Sequence, residues 1–197
     1  MILSNSEMQL AMQDGRFDID PVPLPLRRQE GIPCPYQTSS VDLRFGSEIT
    51  FISRDREVPI NIDLSRGRFA DVFNAFAEVR TLHKDQPYVI QPGQFVLGKT
   101  LERVTFPILD NERVSLAGRI EGKSSFARCG LLIHFTAPTI HSGFSGTITL
   151  ELMNLGPVPI SLFPGIPICQ LIVEEVRGTP FRNDSQFQHQ SRASGSS

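Results

Sequence analysis

The chain has no tryptophan, two tyrosines and three cysteines among its 197 residues. Cys34, Cys129 and Cys169 are odd in number, widely scattered and never paired as C-x-x-C. That spacing argues against a disulfide framework or a structural zinc site and points to reduced thiols. No apolar run approaches membrane-spanning length. Lys and Arg number 19 against 21 Asp and Glu, a formal charge of −2. No basic stripe of the kind a nucleic-acid surface needs is present. The opening residues, MILSNSEMQL, lack the basic start and apolar stretch of a secretory leader, so a cytoplasmic location is expected. The length suits one domain with a sizeable core, filled largely by 14 phenylalanines.

Local patterns divide this domain into recognisable pieces. Ser4 stands three residues before Glu7, and Met8, Ala11 and Met12 recur at helical spacing, which predicts a capped helix ending at Gly15. Residues 21–35 are proline-rich and aperiodic, an arm lying over the surface. SVDLRFG and EITFI read as a short strand pair around Gly46. In residues 67–80, Phe69, Val72, Phe73 and Phe76 fall at i, i+3, i+4, i+7, which predicts a short amphipathic helix. From Tyr88 onward, short strands alternate with Pro-Gly turns, favouring an all-β barrel or sandwich. Beyond Arg177 the text is polar and ends SRASGSS.

One stretch, AGRIEGKSSFARCG at 117–130, imitates a phosphate-binding loop. The resemblance fails on spacing. G-x-x-x-x-G-K-[ST] needs four residues between its glycines. Gly118 and Gly122 enclose three, and Ala117 stands where the first glycine belongs. Read as a helical turn instead, KSSFARCG puts Ser124 and Arg128 on one face, with Lys123 and Ser125 pointing elsewhere. In GTITLELMN, Ile148, Leu150 and Leu152 alternate with Thr147, Thr149 and Glu151, so Glu151 leaves the sheet on its polar face.

These pieces sit in a larger frame. EGKSSFARCGLLIHFTA followed by IHSGFSGTITLELMN resembles the central motif of the dCTP deaminase family, a branch of the trimeric dUTPase fold. LSNSEMQLAMQDGRFDIDP is similar to the family's opening helix, SSVDLRFG to its first strand, and PGQFVLGKTLERVTFP to the segment before the site. LFPGIPICQLIVEEV is similar to the strand preceding its C-terminal tail. The implied fold is mainly β, a distorted antiparallel β-barrel or jelly-roll of the dUTPase-like type with an N-terminal helix and one short internal helix. Residues 1–177 would form one deaminase-like domain, and 178–197 a flexible tail that closes over the nucleotide.

The resemblance further implies a homotrimer with sites at subunit interfaces, dCTP as substrate, and Mg2+ carried by the triphosphate. No zinc is implied, and the residues agree. Zinc deaminases need H-x-E with P-C-x-x-C, and His83, His134, His141 and His189 have no cysteines at that spacing. Glu151 would serve as base and then acid for water attacking C4 of cytosine. Ser124 and the Ala137 carbonyl would hold that water, and Arg128 would orient and balance the carboxylate. Lys123 and Ser125 would bind phosphate oxygens, beside Phe126 and Ala127 in the same turn. Thr136, Thr149 and the strand at Leu150 would meet base or sugar. The expected products are dUTP and ammonia, supplying dUMP and dTTP synthesis, with dTTP as a candidate feedback inhibitor.

Some positions depart from the family pattern. His141 replaces the aspartate that contacts the sugar in deaminases and activates the hydrolytic water in dUTPases. Thr139 stands where many bacterial members carry a basic residue. In the tail, Phe181, Gln186 and Gln190 align with a tyrosine, a lysine and a glutamine, and Arg182 or Arg192 offers a substitute cation. Two alternatives therefore stand beside the deaminase: a nucleotide-binding relative without turnover, and a dUTPase-like or bifunctional enzyme giving dUMP.

Overall fold

A computed structural model of the protein describes residues 1–52, 63, 76–109 and 114–181. Helix α1 spans Asn5–Gln13; Ser4 caps it, its Oγ accepting from the Glu7 amide at 3.3 Å. Met8 and Ala11 face the core, and Gly15 reverses the chain at φ 66°. The strands follow: β1 Asp18–Asp20, β2 Val41–Ile52, β3 Ala77–Thr81, β4 Tyr88–Ile90, β5 Phe95–Thr105 and β6 Leu116–Gly122. The turn α2, Ser124–Ala127, precedes β7 Leu131–Ile133, β8 Thr139–Ile140, β9 Ser145–Asn154, β10 Ile160–Leu162 and β11 Pro167–Glu175. Between β1 and β2 the arm has no regular structure, as its prolines dictate.

All pairings are antiparallel. One nine-stranded sheet runs β7-β9-β5-β2-β11-β6-β8, with β1 on β5 and β3 on β2; β4 and β10 form a separate pair. The sheet curls into a distorted half-barrel until its ends approach. A Cβ on Gly122 of β6 would meet Ile133 of β7 at 3.6 Å. Inward positions of β2, β5, β9 and β11 fill the curl with fully buried Leu43, Val96, Leu150 and Leu171. Phe17 stacks on Phe106 with centroids 5.5 Å apart. Gly118 leaves room for that ring, since a Cβ there would lie 2.9 Å from it.

A charge sits inside this apolar filling. Glu102 is fully buried, and its carboxylate takes the Arg44 main-chain N–H at 2.7 Å and the Arg44 guanidinium at 2.6 Å. Such a group is tolerable only when paired and hydrogen-bonded, and this one is both. Among the described residues no helix is long and apolar enough to cross a membrane.

The structure corrects the sequence reading at two places. SVDLRFG and EITFI are not a pair but one continuous strand, β2. Gly46 is there for proximity rather than turning: a Cβ would lie 3.0 Å from the Lys99 carbonyl oxygen. From Phe45 to Ile49 β2 advances four residues while β5 moves only from Thr100 to Gly98, so a bulge absorbs the difference. The helix expected at 67–80 meets its second correction at its end, where Ala77–Thr81 is strand β3, paired with β2. Phe69, Val72 and Phe73 lie outside the described residues.

Candidate active site

Strand β6 ends at Gly122 and the chain turns into α2. The amides of Phe126 and Ala127 both donate to the Lys123 carbonyl, each at 3.0 Å, and Arg128 N–H reaches Ser124 O at 3.2 Å. One turn is too short to stand alone; Phe126 anchors it by packing against the core. Ser124, Ser125, Ala127 and Arg128 are exposed. The side chains of Ser124, Ser125 and Arg128 make no hydrogen bond among the described residues, so they are available to a ligand or a neighbouring subunit.

Lys123 is different. Its ammonium lies 2.6 Å from Asp42 Oδ2, and Gln170 Nε2 donates to Asp42 Oδ1 at 3.2 Å. Asp42 on β2 and Gln170 on β11 are direct partners in register, which is what gathers the three. Sequence reasoning did not single out Asp42 or Gln170. The available signal was an acidic residue inside the apolar run Val41-Asp42-Leu43, a strand whose first three residues are all buried. Beside them Cys169 is wholly buried. Burial pushes its thiol up, the Glu102 and Asp42 carboxylates push it further, and Lys123 opposes them. That thiol stays neutral and unreactive.

The second half of the site forms where β7 leaves the sheet and returns beside β9. Thr147, Thr149 and Glu151 are half-buried on the outer face of β9, while Ile148, Leu150 and Leu152 are buried, as the alternation predicts. Leu150 is therefore a core side chain and can offer a ligand only its backbone. His134 turns the chain at φ 54°, a conformation rare for a non-glycine residue. Its amide donates to the Glu151 carbonyl at 2.8 Å. Thr136 then faces the Glu151 side chain: its hydroxyl lies 2.7 Å from Oε2 and its amide 3.4 Å. Thr136, expected at the substrate, is thus first a holder of the carboxylate. Oε1 has no partner among the described residues.

His134 itself is the other residue that sequence reasoning passed over. Its ring is buried with neither nitrogen hydrogen-bonded among the described residues. Burial pushes its pKa down, while the Glu151 charge and the Ala137 main chain pull the other way. A lone histidine inside the apolar run LLIHF was the available signal.

The remaining expected residues lie at the periphery. His141 is exposed just after β8, its carbonyl accepting from Phe144 N at 3.1 Å, and Thr139 sits on β8 opposite Arg119. Phe181 is 88% exposed. Gln186, Gln190, Arg182 and Arg192 lie outside the described residues. No hydrogen bond joins Ser124 or Arg128 to Glu151 among the described residues: one half of the site lies on α2, the other on β9. No group of three or more His, Cys, Asp or Glu among the described residues could hold a metal ion.

Comparison with known proteins shows the family. The family model described as dCTP deaminase-like matches residues 2–176. A Parafrankia sp. protein named "dCTP deaminase, dUMP-forming" is 40% identical over 171 residues, covering 87% of this chain and 74% of that one. A protein of the same name from Methanosphaera stadtmanae is 32% identical over 197 residues, 98% of this chain and 87% of that one. The crystal structure of 2'-deoxycytidine 5'-triphosphate deaminase from Agrobacterium tumefaciens shares the fold, with a TM-score of 0.59 and 19% identity; the match covers 87% of this chain and 47% of that longer one. With its central motif on α2 and β9 and a family match running from residue 2 to residue 176, the chain belongs to the dCTP deaminase-like family.

Proposed function

We propose that the protein is a zinc-independent dCTP deaminase that converts dCTP and water to dUTP and ammonia. The observation that carries this reading is the state of Glu151: one carboxylate oxygen is fixed by Thr136 and the other is uncommitted. A carboxylate held in that way can take a proton from water as the oxygen bonds to C4 of cytosine, and pass it to N3. The proton left on the new C4 hydroxyl then moves to the exocyclic nitrogen, the C4–N bond breaks as C4=O forms, and ammonia leaves. Ser124 holds the water from α2 together with the Ala137 carbonyl. Arg128, the cation of that turn, balances the carboxylate's charge.

Lys123 can serve phosphate without abandoning Asp42, because an ammonium has three donors and Asp42 takes one. Ser125 adds a hydroxyl. Magnesium would arrive on the triphosphate and neutralise part of its charge. The exposed Ser124, Ser125 and Arg128 of α2 can meet a neighbouring subunit as well as a ligand, and the expected assembly is a homotrimer with sites between subunits. The reaction belongs to cytoplasmic supply of dUMP, with dTTP as the candidate end-product inhibitor.

A second reading, release of dUMP, is favoured by the names of the Parafrankia and Methanosphaera relatives. Against it stands His141 at the aspartate position: an exposed imidazole lacks the fixed negative charge that would activate a hydrolytic water beside phosphate. Incubating purified protein with dCTP and Mg2+, with nucleotides separated by chromatography and ammonia measured, decides between them. dUTP with ammonia supports the deaminase. dUMP with pyrophosphate means the second hydrolysis survives without the aspartate. Binding without turnover of dCTP, dCDP or dCMP rejects both.

A further inference from the structure

The Ser124–Arg128 turn is too short to fix itself, yet chemistry at C4 requires its side chains at a set place. At its exit the chain meets the turn that follows β9. Gly130, at φ 88°, would carry a Cβ 2.3 Å from Gly156 N, and a Cβ on Gly156 would lie 2.4 Å from the Cys129 carbonyl oxygen. Two main chains touch here with no side chain between them. Leu155 N–H donates to Gly130 O at 2.8 Å, sealing the contact.

The far side of the contact is held by Asn154, which is fully buried. Its Oδ1 accepts the Gly156 N–H at 2.9 Å, and its Nδ2 donates to Ile90 O at 3.1 Å and Val158 O at 2.9 Å. Its carbonyl also accepts Gly93 N–H at 2.7 Å. An amide bonded on both its ends ties this turn to β4 and β9. On the near side, the Cys129 and Gly130 amides donate to Phe126 O and Ala127 O, each at 3.0 Å, so a shift of the Cys129 carbonyl is passed directly into α2.

We infer that Asn154 and Gly156 are positioning residues for the reaction: through the backbone contact with Cys129 and Gly130 they set the placement of the Ser124–Arg128 turn on the barrel. The inference rests on the deaminase reading for its functional consequence, but not for its geometry. It holds whether Glu151 comes from the same chain or a neighbour, because either way Ser124 meets it only if α2 keeps its seat on the barrel. Relieving a contact at 2.4 Å requires a shift of about 1 Å, and displacements of that size at a reacting group cost about 100-fold in rate.

The test compares Gly156→Ala with Val89→Ala, an exposed position on β4, in the full chain. Gly156→Ala is expected to lower kcat about 10- to 100-fold per folded site, with an unchanged pH profile and oligomer. Amide exchange at residues 126–130 should accelerate, while that of β9 and of Val89→Ala stays as in the parent. Asn154→Ser, which keeps an acceptor oxygen and adds no atom toward Cys129, serves if Gly156→Ala does not fold, with the same pattern at smaller amplitude. Unchanged exchange at 126–130 overturns the inference whatever the activity. So does a loss of kcat that cooling fully restores, since that is only partial unfolding. If the parent protein does not turn over dCTP, the deaminase reading fails, and exchange alone decides the geometric inference.

Discussion

The two half-sites are built by different means. The Ser124–Arg128 turn is local and exposed, and its Ser124, Ser125 and Arg128 side chains make no hydrogen bond among the described residues; its shape is set by consecutive residues and by contact with the turn after β9. The Glu151 half-site is long-range: a strand carboxylate is clasped by a segment that returns from β7, with Thr136 on its oxygen and His134 on its carbonyl. A carboxylate proposed to move protons needs fixed geometry, and the second construction supplies it. A surface that must admit a charged nucleotide needs donors not already spent, and the first supplies those.

The largest expected effect comes from breaking the clasped half. Glu151→Gln should lower deamination by about 100- to 10,000-fold, the range of a general acid–base group, with the fold retained by circular dichroism. Mixing it with Ser124→Ala, after dissociation and reassembly, should restore part of the activity if each site draws its halves from two subunits; no recovery would assign both to one chain. Thr136→Val removes the hydroxyl while keeping the shape. A hydrogen bond to a charged group contributes roughly 1.5–3 kcal/mol, so kcat should fall about 10- to 100-fold with little change in KM. On the exposed side the effects are smaller. Asp42→Asn leaves the Lys123 charge uncompensated and should tighten dCTP binding about threefold at low salt, measured by calorimetry, with the gain lost at high salt.

How much of this was legible follows the same division. Ser4 capping α1, the helical turn at Ser124–Ala127, and the alternation that puts Glu151 on the outer face of β9 are all local patterns, and the structure has each of them. The Asp42–Lys123–Gln170 cluster was not legible, because it depends on β11 lying beside β2 in one register. Gly46 was misread since a glycine for a turn and a glycine for a close backbone approach look alike in sequence. Thr136 was assigned to the substrate because nothing local says that its hydroxyl reaches a carboxylate fifteen residues away.

The smallest predicted effect is a pH dependence in the clasped half. Burial lowers the folded-state pKa of His134 below its ordinary value of about 6.5. The unfolded chain therefore binds the proton more readily, and stability falls as pH drops from that value toward the folded pKa. Melting temperature should decline over that interval, and His134→Asn should flatten the decline. An identical slope in the variant would mean that other groups cause it.

The Asp42–Lys123 pair also bears on how an anion would approach the α2 turn. Seen from several ångströms away, a cation 2.6 Å from a carboxylate is a dipole, whose field decays faster than that of a lone charge. Lys123 thus adds little long-range steering and acts mainly at contact. Anions of every kind are abundant in a cell, and a surface that does not draw them in from afar is left to choose among those that fit.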